Sequence, residues 1–137
     1  MDLTDQQHAF LELARVCRLA TTGSDGQPRV VPVCPLLVDG KIYIASEDNR
    51  KVRNVRENPK VGLAFDDYVE DWTALRGLSV QGVVTRIIDG GPDFAALVAA
   101  FYAKFPQYEP QAGPITEANS IILEIEISKV ADGLGGL

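Results

Sequence analysis

Ser46-Glu-Asp-Asn-Arg-Lys-Val-Arg-Asn-Val-Arg-Glu-Asn-Pro59 follows directly on the apolar run Lys41-Ile-Tyr-Ile-Ala45. The junction reads as a strand giving way to a short helix. That helix ends at Asn58, because the residue before a proline resists the helical region. Arg50, Lys51, Arg53, Arg56 and Lys60 place five of the chain's 13 Lys and Arg residues within eleven positions, on a protein of net charge −6. The free N–H groups and dipole of a helix start already favour an anion. Cations at that start oppose the dipole, so a bound phosphate is the natural compensation. The plainer reading is a solvated basic face with an Arg53–Glu57 pair at i,i+4.

Working outward, Thr4-Asp-Gln-Gln7 reads as a capping box opening a helix with Phe10, Leu13, Ala14 and Cys17 on its core stripe. Residues 18–22 and the valine-rich 27–37 read as strands around a Ser24-Asp-Gly26 turn. Asp39-Gly40 reads as a tight hairpin turn into residues 41–45. Residues 61–65, 74–88 and 120–130 complete six strands. Gly77 and Gly82 inside the long 74–88 strand predict bulges or close backbone approach. Residues 120–130 alternate as a strand with one wet face. Asp89-Gly-Gly-Pro92 opens a third helix with Phe94, Leu97, Val98, Phe101, Tyr102 and Phe105 as its apolar stripe. Residues 106–119 read as a loop and residues 133–137 as a loosely held tail. Strands joined mostly by short turns predict a mainly β, α+β fold: an antiparallel barrel with peripheral helices, as a single domain over residues 1–137.

The composition narrows function. A sequence pI of about 4.7 argues against general nucleic-acid binding. No apolar run is long enough to span a bilayer. The acidic, polar Met1-Asp-Leu-Thr-Asp5 does not read as a secretory signal, so a cytoplasmic location is expected. Cys17 and Cys34 are then expected as buried free thiols. One histidine, His8, and two distant cysteines make no zinc site. Asp66, Asp67, Glu70 and Asp71 lack a calcium loop's pattern and read as a solvated acidic loop. Trp72, the single tryptophan, reads either as core filling or as a flat wall for a ligand or subunit. With no phosphate-binding glycine loop and no evident nucleophile or acid–base pair, a cofactor would have to supply the chemistry.

Gly26-Gln-Pro-Arg-Val-Val-Pro-Val33, Asp39-Gly-Lys-Ile-Tyr-Ile44 and the Arg50-Lys51…Asn58-Pro59-x-Val61-x-Leu63 pattern resemble the pyridoxamine 5′-phosphate oxidase-like, FMN-binding split-barrel superfamily. The resemblance implies a six-stranded split barrel that forms a homodimer, with flavin in the interface. It implies that Arg50 and Lys51 grip the FMN phosphate, that Arg29 starts the flavin strand, and that Val30, Val31, Pro32 and Val33 run along the ring. It places Ile44, Ala45 and Ser46 at the ribityl-phosphate, and Gly77 where the partner chain contributes. The catalytic residues are not named by it. Cys34 stands where the oxidases carry a substrate-phosphate lysine, and the chain lacks their Trp- and Arg-containing tail, so vitamin B6 oxidation is not implied. What is implied is an FMN-dependent oxidoreductase acting on a small molecule. The alternatives are an F420-dependent reductase of the same fold and a non-catalytic flavin- or haem-binding protein.

Overall fold

The structure, a computed structural model, describes residues 2–132. Its elements run α1 (Asp5–Leu13), β1 (Cys17–Thr22), β2 (Pro28–Val33), β3 (Leu36–Val38), β4 (Lys41–Ser46), α2 (Arg50–Glu57), β5 (Lys60–Asp67), β6 (Arg76–Ile88), α3 (Gly91–Lys104), α4 (Tyr108–Ala112) and β7 (Ile121–Asp132), with a 3₁₀ turn at Trp72–Ala74. The seven strands form one antiparallel sheet in the order β2-β1-β5-β6-β7-β4-β3.

The connection between β2 and β3 dictates the sheet's shape. These are the outermost strands, yet only Cys34 and Pro35 separate them. Seven strands laid flat would put their edges about 29 Å apart at the usual strand spacing. Three peptide steps reach only about 11 Å. The sheet must therefore curl until its edges nearly meet, giving a half-barrel with a split between β2 and β3.

The curl makes an interior. Leu19, Leu63, Phe65, Val80, Leu123 and Ile125 fill it, with Val52 and Val55 of α2 and Leu11 of α1 closing it. A second core lies outside the barrel, where Phe94, Leu97 and Phe101 of α3, with Phe105 just past its end, pack on Tyr43, Ile88 and Ile122. The expected α3 stripe is thus present, with Val98 and Tyr102 at its margin. The remaining sheet face carries no helix. Ala20, Gly62, Ala64, Ser79 and Gln81 line it, partly or fully exposed, in cross-strand rows.

Local chemistry explains the boundaries. Thr4 and Gln7 form the expected capping box, with Gln7 N–H donating to Thr4 Oγ1 at 3.1 Å and Thr4 N–H donating to Gln7 Oε1 at 3.0 Å. Asp39 and Gly40 both take positive φ (50° and 77°), the pairing a two-residue hairpin turn requires. At Gly82 the β6–β7 register slips, and a Cβ there would stand 2.6 Å from Ile125 Cγ2. The glycine admits the neighbouring strand, as its position predicts. At Gly77 the ladder to β5 is unbroken.

The structure corrects several expectations. There are seven strands rather than six, because Pro35, which has no N–H to donate, divides 27–37 into β2 and β3. The first helix turns extended at Ala14, so Cys17 belongs to β1; Leu11 is the buried residue of α1 and Leu13 is 75% exposed. Cys34 is exposed rather than buried, while Cys17 is fully buried, and both are free thiols. Burial, with the Cys34 thiol nearby, pushes the Cys17 thiol up to about 12. The loop at 106–119 contains α4. The first half of β7 is buried on both faces, since α3 covers Ile122 and the side chain of Glu124 finds polar partners. Residues 133–137 lie outside the described residues. No described helix is long and apolar enough to cross a membrane.

Candidate functional site

The basic junction folds as its pattern predicts, and the structure shows why it is left unsatisfied. Asn49 precedes α2 in an extended conformation but its side chain does not cap the helix. Its Oδ1 instead accepts from Lys51 Nζ at 3.3 Å, and Ser46 Oγ accepts from the same ammonium at 2.8 Å. Ser46 Oγ in turn donates to the Glu47 carbonyl at 2.7 Å. The first-turn N–H groups of α2 thus keep no side-chain acceptor, and Lys51 is poised beside them. Burial lowers the Lys51 pKa, and the Arg29 guanidinium lowers it further, against the weaker pull of Glu47. Arg29 therefore acts on the same space from β2.

The helix is fixed from below. Val52 and Val55 sit in the barrel core, and buried Asn54 donates from Nδ2 to Thr21 Oγ1 at 3.0 Å. The expected Arg53–Glu57 pair is absent. Glu57 turns instead to accept from the Ser24 backbone N–H at 2.6 Å, stapling the β1–β2 turn to α2. Arg29, Arg50, Arg53 and Arg56 consequently have no carboxylate or hydrogen-bonding partner among the described residues. Elsewhere Arg18 pairs with Asp66, Arg86 with Asp93 and Glu124, and Lys41 with Glu124. Arg29, Arg50 and Arg53 lie about the first turns of α2, while Arg56 stands in its last turn, beside Val84 and Arg86.

Arg50 and Lys51 are neighbours about 100° apart around the helix, so they open on different sides. Lys51 lines a cleft of about 360 Å³ with Ala45, Ser46, Asn49, Tyr108 and Asn119. Arg50 and Arg53 line a smaller cleft of about 170 Å³ with Gly23 and Ser24. The helix start lies between the two.

The other expected site residues divide by strand face. Cross-strand partners share a face, so Arg29, Val31 and Val33 turn with Leu19 toward the interior, and Val30 and Pro32 turn outward. Val30 is 62% exposed. Ile44 is wholly buried in the barrel core and can offer only backbone groups; Ala45 and Ser46 reach the Lys51 cleft. Gly77 lies at the opposite end of the sheet, beside Asp66 on the uncovered face. The chain therefore brings Arg29, Ala45 and Ser46 to Lys51, with Arg50 on the other side of the helix start, but neither Gly77 nor the outward residues Val30 and Pro32. Sequence reasoning missed Asn49, Asn54, Tyr108 and Asn119. Asn49 and Asn54 were visible as polar residues on an otherwise basic helix; nothing in the 106–119 segment signalled that it would fold over Lys51.

Comparison with known proteins agrees with this geometry. A model of the pyridoxamine 5′-phosphate oxidase family matches residues 3–132. A 5a,11a-dehydrotetracycline/5a,11a-dehydrooxytetracycline reductase from Streptomyces rimosus subsp. rimosus is 32% identical over 97 residues, covering 66% of this chain and 68% of that protein. Among solved structures, the haem storage protein HutZ from Vibrio cholerae superposes with a TM-score of 0.79 at 15% identity, covering 98% of each chain. An F420 reductase superposes with a TM-score of 0.71 at 21% identity, covering 94% of this chain and 98% of that one. The two structures share the fold. The family match spans the curled sheet, the β2 strand and the basic start of α2 together, and on it the chain belongs to the pyridoxamine 5′-phosphate oxidase family.

Proposed function

We propose that this chain is a homodimeric, FMN-dependent reductase of a small organic molecule. The observation that carries the cofactor reading is the group of guanidiniums without counter-ions around the start of α2, on a protein of net charge −6. Lys51, Arg50 and Arg29 would hold a phosphate of charge about −2, with Ser46 and the free N–H groups of α2 as further donors. Val31 and Val33 would back the ring, and Val30 and Pro32 would face the partner. When bound, the cofactor supplies a ring that exchanges hydride; the chain binds it, orients it and keeps water away. The dimer reading rests on the uncovered sheet face. Small side chains across three strands, β1, β5 and β6, leave a flat surface that a second copy can approach closely, and Gly77 of that copy would meet the site there. The reductase reading follows the dehydrotetracycline reductase relative.

A second reading, F420 in place of FMN, is favoured by one observation. Arg53 lines a further cleft beside Arg50, so the site has one cation beyond the Arg29, Arg50 and Lys51 that one phosphate would use. A haem reading has less behind it: His8 lies on α1, 3.5 Å from Glu12 and away from α2.

Titration of the purified chain with FMN and with F420 tests both readings. FMN is expected to bind and survive gel filtration. Arg50→Ala with Lys51→Ala is expected to weaken binding by about 100-fold, the loss of two charge-assisted contacts. Affinity is expected to fall as pH rises through the lowered pKa of Lys51, below the ordinary 10.5, since only its protonated form attracts phosphate. Tight F420 binding with negligible FMN binding selects the second reading. Unchanged retention by the double variant removes the phosphate assignment.

A further inference from the structure

The cleft of about 360 Å³ at Lys51 has two unlike walls. One brings Ser46, Glu47 and Lys51 from the passage between β4 and α2; the other brings Tyr108 of α4 with Asn119 and Ser120. The second wall is tied to itself. Asn119 Oδ1 accepts from the Thr116 N–H at 3.0 Å and from the Ser120 hydroxyl at 2.7 Å, and Asn119 Nδ2 donates to the Pro114 carbonyl at 3.0 Å. Tyr102 Oη, on α3, accepts from the Ile115 N–H at 2.9 Å. The polar groups of Asn119 and Ser120 are thus engaged within their own loop.

Tyr108 is the exception. Its ring is half-buried and leans on Tyr102, with centroids 6.3 Å apart and planes tilted by 56°. The chain has four tyrosines, and the hydroxyls of Tyr43, Tyr68 and Tyr102 all enter hydrogen bonds. The Tyr108 hydroxyl has no such partner among the described residues. Burial raises its pKa above the ordinary 10.0, and Cys34, Tyr102 and Glu47 raise it further. The phenol therefore stays protonated at neutral pH and can donate. Cys34 follows β2 and Glu47 follows β4, so the groups acting on the phenol place it toward the sheet. Glu47 acts on Lys51 as well, raising its pKa against burial and Arg29. One carboxylate is thus within electrostatic reach of both the phenol and the ammonium. It offsets the charge of Lys51, so an arriving anion gains less from that ammonium. A neutral donor facing the same cleft adds a hydrogen bond that Glu47 does not cancel.

We propose that Tyr108 is a specificity residue of this cleft: its hydroxyl donates to the phosphate that Lys51 attracts, and so sets the preference for a phosphorylated over an unphosphorylated ligand. This role rests on the cofactor reading above and deepens it, since α4 then forms half of the phosphate site. Tyr108→Phe removes one oxygen and keeps the ring against Tyr102, so the fold loses no contact. Parent and variant would each be titrated with FMN and with riboflavin, which lacks only the phosphate, following flavin fluorescence. F420 and the 8-hydroxy-5-deazariboflavin without its phosphate-bearing side chain form a second pair. The variant is expected to bind the phosphorylated member that the parent takes about tenfold more weakly, the loss of one charge-assisted hydrogen bond. Affinity for the unphosphorylated member and the thermal midpoint are expected to stay unchanged. A purely structural role would weaken both members alike, and that result overturns the proposal. So does a parent that prefers the phosphorylated member with the same preference in the variant, which leaves the cofactor reading standing. A parent that binds both members of each pair equally removes the phosphate site, and one that binds none of the four removes the cofactor reading; either takes the role of Tyr108 with it.

Discussion

Glu124 is 3% exposed, yet its carboxylate is fully occupied. Tyr43 Oη donates to it at 3.0 Å and Thr85 Oγ1 at 2.8 Å, with Lys41 and Arg86 each at 3.5 Å. Burial alone would raise its pKa; the hydrogen bonds from Thr85 and Tyr43 and the two cations outweigh burial and hold it below the ordinary 4.5. A carboxyl with a depressed native pKa contributes stability that is present above its unfolded value and lost as pH falls through its native value. The wild-type urea midpoint is therefore expected to drop on acidification below about pH 4.5, and Glu124→Gln to flatten that dependence. Equal acid sensitivity of the two proteins would show that other carboxylates govern it. At this scale the sequence was informative where a residue's chemistry is singular, as at Gly40, Gly82 and Lys51. It was silent where chemistry depends on a distant partner. Glu124 read as one polar residue of a half-wet strand, because its partners come from β4 and β6.

At the scale of elements, α2 depends on two anchors, a pair of valines in the barrel and the Asn54–Thr21 hydrogen bond. Asn54→Ala leaves the buried Thr21 hydroxyl without its donor and is expected to destabilise the fold by about 1–3 kcal/mol, measured by urea unfolding. A cost no larger than that of an exposed helix substitution would mean that water replaces the amide. The starts of α1 and α3, the stop of α2 before Pro59, the hairpin turn and the α3 stripe were legible because capping residues, proline, glycine and 3.6-residue periodicity act locally. The division of 27–37 was less so. A valine-rich run with prolines at both 32 and 35 is compatible with one bent strand or two. Tertiary closure decides, since only a break at Cys34–Pro35 lets the chain pass from one sheet edge to the other.

At the scale of the molecule, the uncovered sheet face is the feature that the chain's own helices leave open. Ala20, Gly62, Ala64 and Ser79 are unremarkable in sequence, and no periodicity announces that three strands will align them. Ala64 is exposed near the centre of this face. Ala64→Arg adds a bulky charge there without touching the barrel interior. On the homodimer and FMN readings proposed above, the variant is expected to sediment as a monomer where the parent chain sediments as a dimer, and to bind FMN more weakly in step. A variant that stays dimeric with full FMN affinity would place the interface elsewhere.

The two-residue passage from β2 to β3 couples distant parts mechanically. β2 has a ladder on one side only, which would ordinarily let an edge strand peel away and drop whatever it carries. Its far end, however, runs at once into Pro35, whose carbonyl accepts from Lys104 Nζ at 2.7 Å at the end of α3. The edge is thus fastened to the helical layer, like a strap buckled on the opposite flank. Opening at β2 begins at the Pro28 end, beside the cations, and the Val33 end follows only when α3 lets go.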